Sequence, residues 1–192
     1  MKIGVLALQG AFVEHFEILQ SLEQATCPVR TADELAKVGA LIIPGGESTV
    51  ILKLLNEFNL FTPLQKRIEK GMAVWGTCAG MIVLASQIIN EGRQTMVPLK
   101  AIDVTVKRNA FGRQNDSFSI DLPFKGLGQP VHAVFIRAPL ISACGPQVDV
   151  LACLPDGTIV AARQNKVLVT SFHPELTRDN SIHQYFCQMA IE

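Results

Sequence analysis

Hydrophobic positions fall into two textures along the chain. In the first half, continuous apolar runs alternate with segments whose apolar residues recur every three to four positions. KIGVLAL at 2–8 predicts a buried strand, and residues 11–24 predict a helix with Phe12, Phe16, Leu19 and Leu22 on one face. Thr31 and Glu34 have the spacing of a capping box, which predicts a short helix to Lys37. ALII at 40–43 predicts a second buried strand, Pro44-Gly45-Gly46-Glu47 ends it, and STVILKLLNEF predicts the next helix. MAVW at 72–75 predicts a third strand, followed by a helix from Ala79. Strands that are apolar throughout, joined by helices, predict a mostly parallel sheet covered on both faces: a three-layer, doubly wound α/β fold. Beyond about residue 100 the pattern partly alternates. AIDVTVKRN, DSFSIDL, HAVFIRA, VDVLACL, TIVAARQ and VLVTSF read as strands between turns, so the second half is expected to be strand-rich and partly antiparallel, with a final helix over 178–190.

Composition narrows the partners. With 192 residues, 48% of them hydrophobic, the chain fits one domain spanning 1–192 around a substantial core. Seventeen basic and seventeen acidic side chains cancel, and no run of Lys or Arg stands out, so neither nucleic acid nor an anionic membrane surface is expected as a partner. The apolar run at the N-terminus is far shorter than a bilayer span and lacks a small-residue cleavage site. Cys27, Cys78, Cys144, Cys153 and Cys187 are scattered, with no CxxC pair, which points to free thiols in a reducing cytoplasm and to neither a metal nor a cofactor.

Candidate chemistry enters at Gly76-Thr77-Cys78-Ala79-Gly80, where a buried strand gives way to a helix. This is the spacing of a nucleophile elbow with cysteine in place of serine: a tight turn that needs small neighbours and lifts the side chain clear of the sheet. The amino end of the following helix would support negative charge on the sulfur. The bland alternative is a small buried cysteine whose glycines only permit close packing. Two further stretches weigh against it. The strand VLVTSF runs into His173-Pro174-Glu175, and in an extended segment residues two apart point the same way, so a base and its orienting carboxylate would lie side by side. Pro44-Gly45-Gly46-Glu47-Ser48 follows the second strand at the sheet edge where open α/β folds bind ligands. There the N–H groups of Gly46 and Ala79 would form an oxyanion hole, with Ser48 as a helix N-cap. His132 and His183 have no comparable neighbour at a strand end. His15, beside Glu14 on an amphipathic helix, reads either as support for the site or as surface.

PGGES, GTCAG and SFHPE, in this order and at these spacings, resemble the three signatures of class I, triad-type glutamine amidotransferases. GVLALQGAF with Glu14-His15, RNAFGRQNDSF at 108–118, VFIRAP at 134–139 and SFHPEL at 171–176 closely resemble the glutaminase subunits of pyridoxal 5′-phosphate synthase. That resemblance implies hydrolysis of the glutamine side-chain amide through a cysteine thioester, with the ammonia handed to a synthase. By position it implies Cys78 as nucleophile, His173 and Glu175 completing a triad, and a glutamine pocket formed by Gly46, Glu47, Ser48, Arg108, Ile136 and Arg137. Glu47 and the arginines are the charges an α-amino acid needs, and either arginine could take its carboxylate. The resemblance further implies, as partner, a barrel-shaped synthase that assembles into a dodecameric core decorated by glutaminases, which work poorly until docked. Because the amidotransferase-like region takes up the whole chain, the ammonia acceptor is expected on another protein. Val13 stands where many members carry arginine before the Glu-His pair, a departure from the family pattern that bears on any contact made there with the partner. The alternatives are a glutaminase serving guanylate, tryptophan or histidine synthesis, and a non-catalytic cysteine-elbow module acting in redox sensing or binding.

Overall fold

The computed structural model describes residues 1–89, 97–108 and 117–192. Four strands carry no polar side chain facing solvent: β1 (Ile3–Leu6), β3 (Ala40–Ile43), β4 (Ala73–Thr77) and β12 (Val167–Thr170) are buried at every position. Burial on both faces is what their unbroken apolar sequence requires. With β2 (Thr26–Val29) at the edge they form the order β2-β1-β3-β4-β12, every neighbour parallel. Register puts Ile43 of β3 beside Gly76 of β4, and Thr77 of β4 beside Thr170 of β12. The loops carrying PGGES, Cys78 and His173 therefore leave three adjacent strands at the same edge, with roughly 4.8 Å between neighbours.

From β12 the sheet continues through β11 (Ile159–Gln164), β9 (Leu140–Cys144), β6 (Ile102–Lys107) and β5 (Ala85–Ile89), with β10 (Asp149–Cys153) also on β11. Every pairing there is antiparallel except β5 with β6. Here β6 alternates buried and more exposed positions, as expected where only one face is covered. A separate antiparallel ribbon joins β7 (Ser117–Leu122) to β8 (Val131–Ile136).

Two apolar cores lie on opposite faces of the sheet. On one, Leu41, Ile43, Val74 and Val169 meet α2 (Ala32–Ala36), α3 (Ser48–Glu57), α4 (Phe61–Glu69) and α5 (Ala79–Leu84). On the other, Ile3, Val5, Ala40, Ile42, Trp75 and Leu168 meet α1 (Phe12–Ser21), α6 (Ser181–Ile191) and the β7–β8 ribbon. The period-two alternation within single strands, Ala40 and Ile42 one way, Leu41 and Ile43 the other, makes the three layers. The expected capping box is formed: Glu34 N–H donates to Thr31 Oγ1 at 3.2 Å, and Thr31 N–H to Glu34 Oε2 at 3.0 Å. Four elements escaped the sequence reading: β2, α4, β5 and β9. TCPV carries a proline that suits an edge strand, and Ala85–Ile89 extends directly from a six-residue helix with no turn residue between. No described helix is long and apolar enough to cross a membrane.

Candidate active site

β4 delivers Cys78 in a conformation that side chains rarely adopt, with φ 47° and ψ −101°. The turn is held on both sides. Cys78 N–H donates to the Thr170 carbonyl of β12 at 2.8 Å, and the Cys78 carbonyl accepts from Met81 N–H at 3.1 Å as α5 begins. A Cβ on Gly76 would overlap the backbone of Gly80, and a Cβ on Gly80 would overlap the Ile43 carbonyl. The glycines of GTCAG thus let α5 press onto the ends of β3 and β4, while the turn they permit presents the sulfur.

The imidazole of His173 comes to this turn from β12. Its backbone N–H donates to the Val134 carbonyl of β8 at 2.8 Å, tying the ribbon to the site. Ile136 ends that strand and Arg137, exposed and with φ 43°, follows it. A Cβ on Gly45 would overlap the His173 ring and stand 3.5 Å from Cβ of Cys78, so Gly45, His173 and Cys78 meet at one point. His173 Nδ1 lies 2.6 Å from Glu175 Oε1. The expected pairing is present, but through a different backbone: Glu175 sits in a single 3₁₀ turn, Pro174–Leu176, instead of an extended strand. Burial opposes charge on His173, yet hydrogen bonds to Cys78 and Glu175 and the attraction of both outweigh it, and its pKa is pushed up to about 10.

The PGGES loop is braced by a turn absent from the sequence-derived site. Ala11 N–H donates to the Gly45 carbonyl at 3.0 Å, and Gln9 Oε1 accepts from Glu47 N–H at 2.8 Å. Gly46 packs against Gln9 and Gly10; a side chain on Gly10 would run into the Gly45 carbonyl, and one on Gly46 would displace the Gln9 amide. Across the trans Gly45–Gly46 peptide, the Gly46 N–H points opposite to that carbonyl, away from the Gln9–Ala11 turn. Ser48 is not the N-cap. Glu47 occupies that position, Ser48 is the first residue of α3, and its buried hydroxyl has no hydrogen-bond partner among the described residues. Arg108 Nη2 meets Glu47 Oε1 at 3.0 Å, so the two charges expected to bind an amino acid face each other directly. The RNAFGRQ stretch beyond Arg108, including Arg113, lies outside the described residues.

His15 settles on the side of support. It is fully buried on α1, with Nε2 3.6 Å from Glu175 Oε2 and Nδ1 2.9 Å from His183 Nε2. Its place one helical turn from Leu19 was the available signal. His183, on α6, gave none.

The fold and this site define a class. The model of the SNO glutamine amidotransferase family matches residues 5–192, and the chain belongs to that family. It is 57% identical over 188 residues to the "Pyridoxal 5'-phosphate synthase subunit PdxT" of Herpetosiphon aurantiacus, covering 97% of this chain and 98% of that one. The protein of the same name from Dehalococcoides mccartyi is 56% identical over 193 residues, covering 99% and 97%. A crystal structure described as a glutamine amidotransferase superposes with a TM-score of 0.93 at 47% identity, covering 99% of each chain. A putative GMP synthase protein from Thermoplasma acidophilum shares the fold alone, at TM-score 0.68 and 17% identity, covering 100% of this chain and 94% of that one.

Proposed function

We propose that this chain hydrolyses L-glutamine to L-glutamate and ammonia, and supplies the ammonia to a synthase subunit that makes pyridoxal 5′-phosphate. The relatives named as subunits of that synthase support the pathway and the partner. The observation that carries the chemistry is the meeting of Cys78, His173 and Gly45 at the edge of three adjacent parallel strands, with Glu175 behind the imidazole.

In this reading the Cys78 sulfur attacks the side-chain amide carbon of glutamine, forming a C–S bond as the carbonyl π pair moves to oxygen. The N–H groups of Gly46 and Ala79 receive the oxyanion. His173, which holds a proton readily, gives it to the departing nitrogen, so the C–N bond breaks and ammonia leaves. Water then adds to the thioester, His173 takes its proton, and glutamate leaves as the sulfur is regenerated. Glu175 fixes the imidazole tautomer with Nδ1–H toward its carboxylate. Glutamine would divide the Glu47–Arg108 pair, its ammonium on Glu47 and its carboxylate on Arg108, with Ser48, Ile136 and Arg137 completing the pocket. A dodecameric synthase core decorated by glutaminases, in the cytoplasm, is the proposed assembly.

Mass spectrometry of the chain quenched during turnover is expected to find glutamyl adduct on Cys78, and none in Cys78→Ala. His173→Asn is expected to slow adduct formation by about 10²-fold or more. Glutaminase activity is expected to rise when the synthase partner is added; unchanged activity would remove the dependence on a partner.

A further inference from the structure

Behind Glu175 lie two buried imidazoles, hydrogen-bonded to each other, the nearer of them 3.6 Å from the carboxylate. His15 and His183 are 168 residues apart in the chain, both without solvent exposure, and share one contact between Nδ1 of His15 and Nε2 of His183. Trp75 packs edge-on to both rings, with centroids 5.6 Å from His15 and 4.8 Å from His183. Its own N–H is directed to Thr170 Oγ1, so it does not compete as a donor. Burial lowers the pKa of each histidine, and for His15 the repulsion it would meet from a charged His183 or His173 adds to that. Two neutral rings then hold a single proton between the facing nitrogens.

That proton can sit in two ways, and only one suits Glu175. If His15 Nδ1 carried it, His15 Nε2 would turn a lone pair toward Glu175 Oε2 at 3.6 Å, an anion facing a lone pair in a dry interior. If His183 Nε2 carries it, His15 Nδ1 accepts and His15 Nε2–H faces the carboxylate. His15 Nε2 and Glu175 Oε2 stand 3.6 Å apart, beyond hydrogen-bond distance, and neither has a hydrogen-bond partner among the described residues, so no other group relieves the first arrangement. The second sets an N–H dipole against the carboxylate and leaves the His183 Nδ1 lone pair without a partner among the described residues.

We propose that His15 is a positioning residue for glutamine hydrolysis: its Nε2–H, set by the His183–His15 contact, holds the outer oxygen of Glu175 while His173 engages the inner one. One carboxylate oxygen is thereby hydrogen-bonded to His173 and the other faces the His15 N–H at 3.6 Å, and the plane of the carboxylate, hence the aim of the His173 ring at Cys78, is set from α1 and α6. The proposal rests on the triad reading of Glu175.

Long-range nitrogen–proton spectra of the full chain labelled in its histidines are expected to show His15 and His183 each protonated at Nε2 and bare at Nδ1. His15 protonated at Nδ1 overturns the proposal, and this measurement needs no variant. In parallel, glutaminase activity is measured with the synthase partner present. His15→Leu, which keeps bulk and removes the donor, is expected to lower kcat about tenfold with KM changed less than about twofold. His15→Gln places an amide donor near the Nε2 position and is expected to recover most of the loss. Wild-type kcat in a folded His15→Leu, or a Gln variant no better than Leu, refutes positioning and leaves His15 a packing residue. Full activity in Cys78→Ala would instead overturn the triad itself.

Discussion

Glu47 and Arg108 face each other across 3.0 Å, with the Glu47 side chain half exposed. An ion pair so placed is worth less than about 1 kcal/mol, while a charge-assisted bond to a substrate carboxylate contributes about 1.5–3 kcal/mol. In the proposed pocket, exchanging this pair for contacts with glutamine would therefore be favourable. Arg108→Ala is expected to raise KM for glutamine by about tenfold or more while kcat changes less, as steady-state kinetics would show. His173 makes a second residue-scale prediction. Its folded pKa lies above the unfolded value, so its stabilising contribution is complete below about pH 6.5 and is lost as pH climbs towards 10. Melting temperature should decline across that window in the native chain and decline less in His173→Asn; parallel curves would refute the assignment. At this scale the sequence was informative for the meeting of Cys78 and His173, and for the His173–Glu175 pairing, which forms through a 3₁₀ turn and not the expected extended strand. It was silent on Gly45 as the glycine touching both, because that contact spans three strands.

The turn between β4 and α5 depends on backbone against backbone. Gly80→Ala would drive a methyl into the Ile43 carbonyl, whereas a methyl on Gly128 meets no atom within 4 Å. Chemical denaturation is expected to show Gly80→Ala destabilised by about 1–3 kcal/mol or more, with glutaminase activity lost, and Gly128→Ala nearly neutral. Elements with a strong period were legible: β1, β3, β4, β12, α1 and α3 stand close to their expected places. Among the missed ones α4 did carry a period, with Phe61, Leu64 and Ile68 on one face, but β2 and β5 lacked one. β2 is four residues long with a proline, and β5 follows α5 without a breaker, so only pairing with β1 and with β6 makes them strands. Ser48 reads as a cap by residue type, yet the chain bends one residue earlier, at Glu47.

Across the whole molecule, α1 near one end of the chain and α6 at the other meet over Trp75 and bury His15 and His183 together. Burial lowers the His183 pKa to about 4, partly offset by Asp179. A depressed folded value means that stability is present above about pH 6.5 and is lost as pH falls towards 4, by on the order of 3 kcal/mol. Acid titration of stability should show this loss, and His183→Gln should flatten it; an unchanged slope would place the acid sensitivity elsewhere. Residue order along the chain was enough to specify a parallel α/β half, a strand-rich remainder and a cysteine elbow, because strand period, helix period and turn chemistry act between residues a few positions apart. Which side chains stand behind Cys78, His173 and Glu175, that Glu47 and Arg108 pair, and that His15 and His183 meet were decided by folding. Those contacts join positions tens to more than a hundred residues apart, and no local preference encodes them.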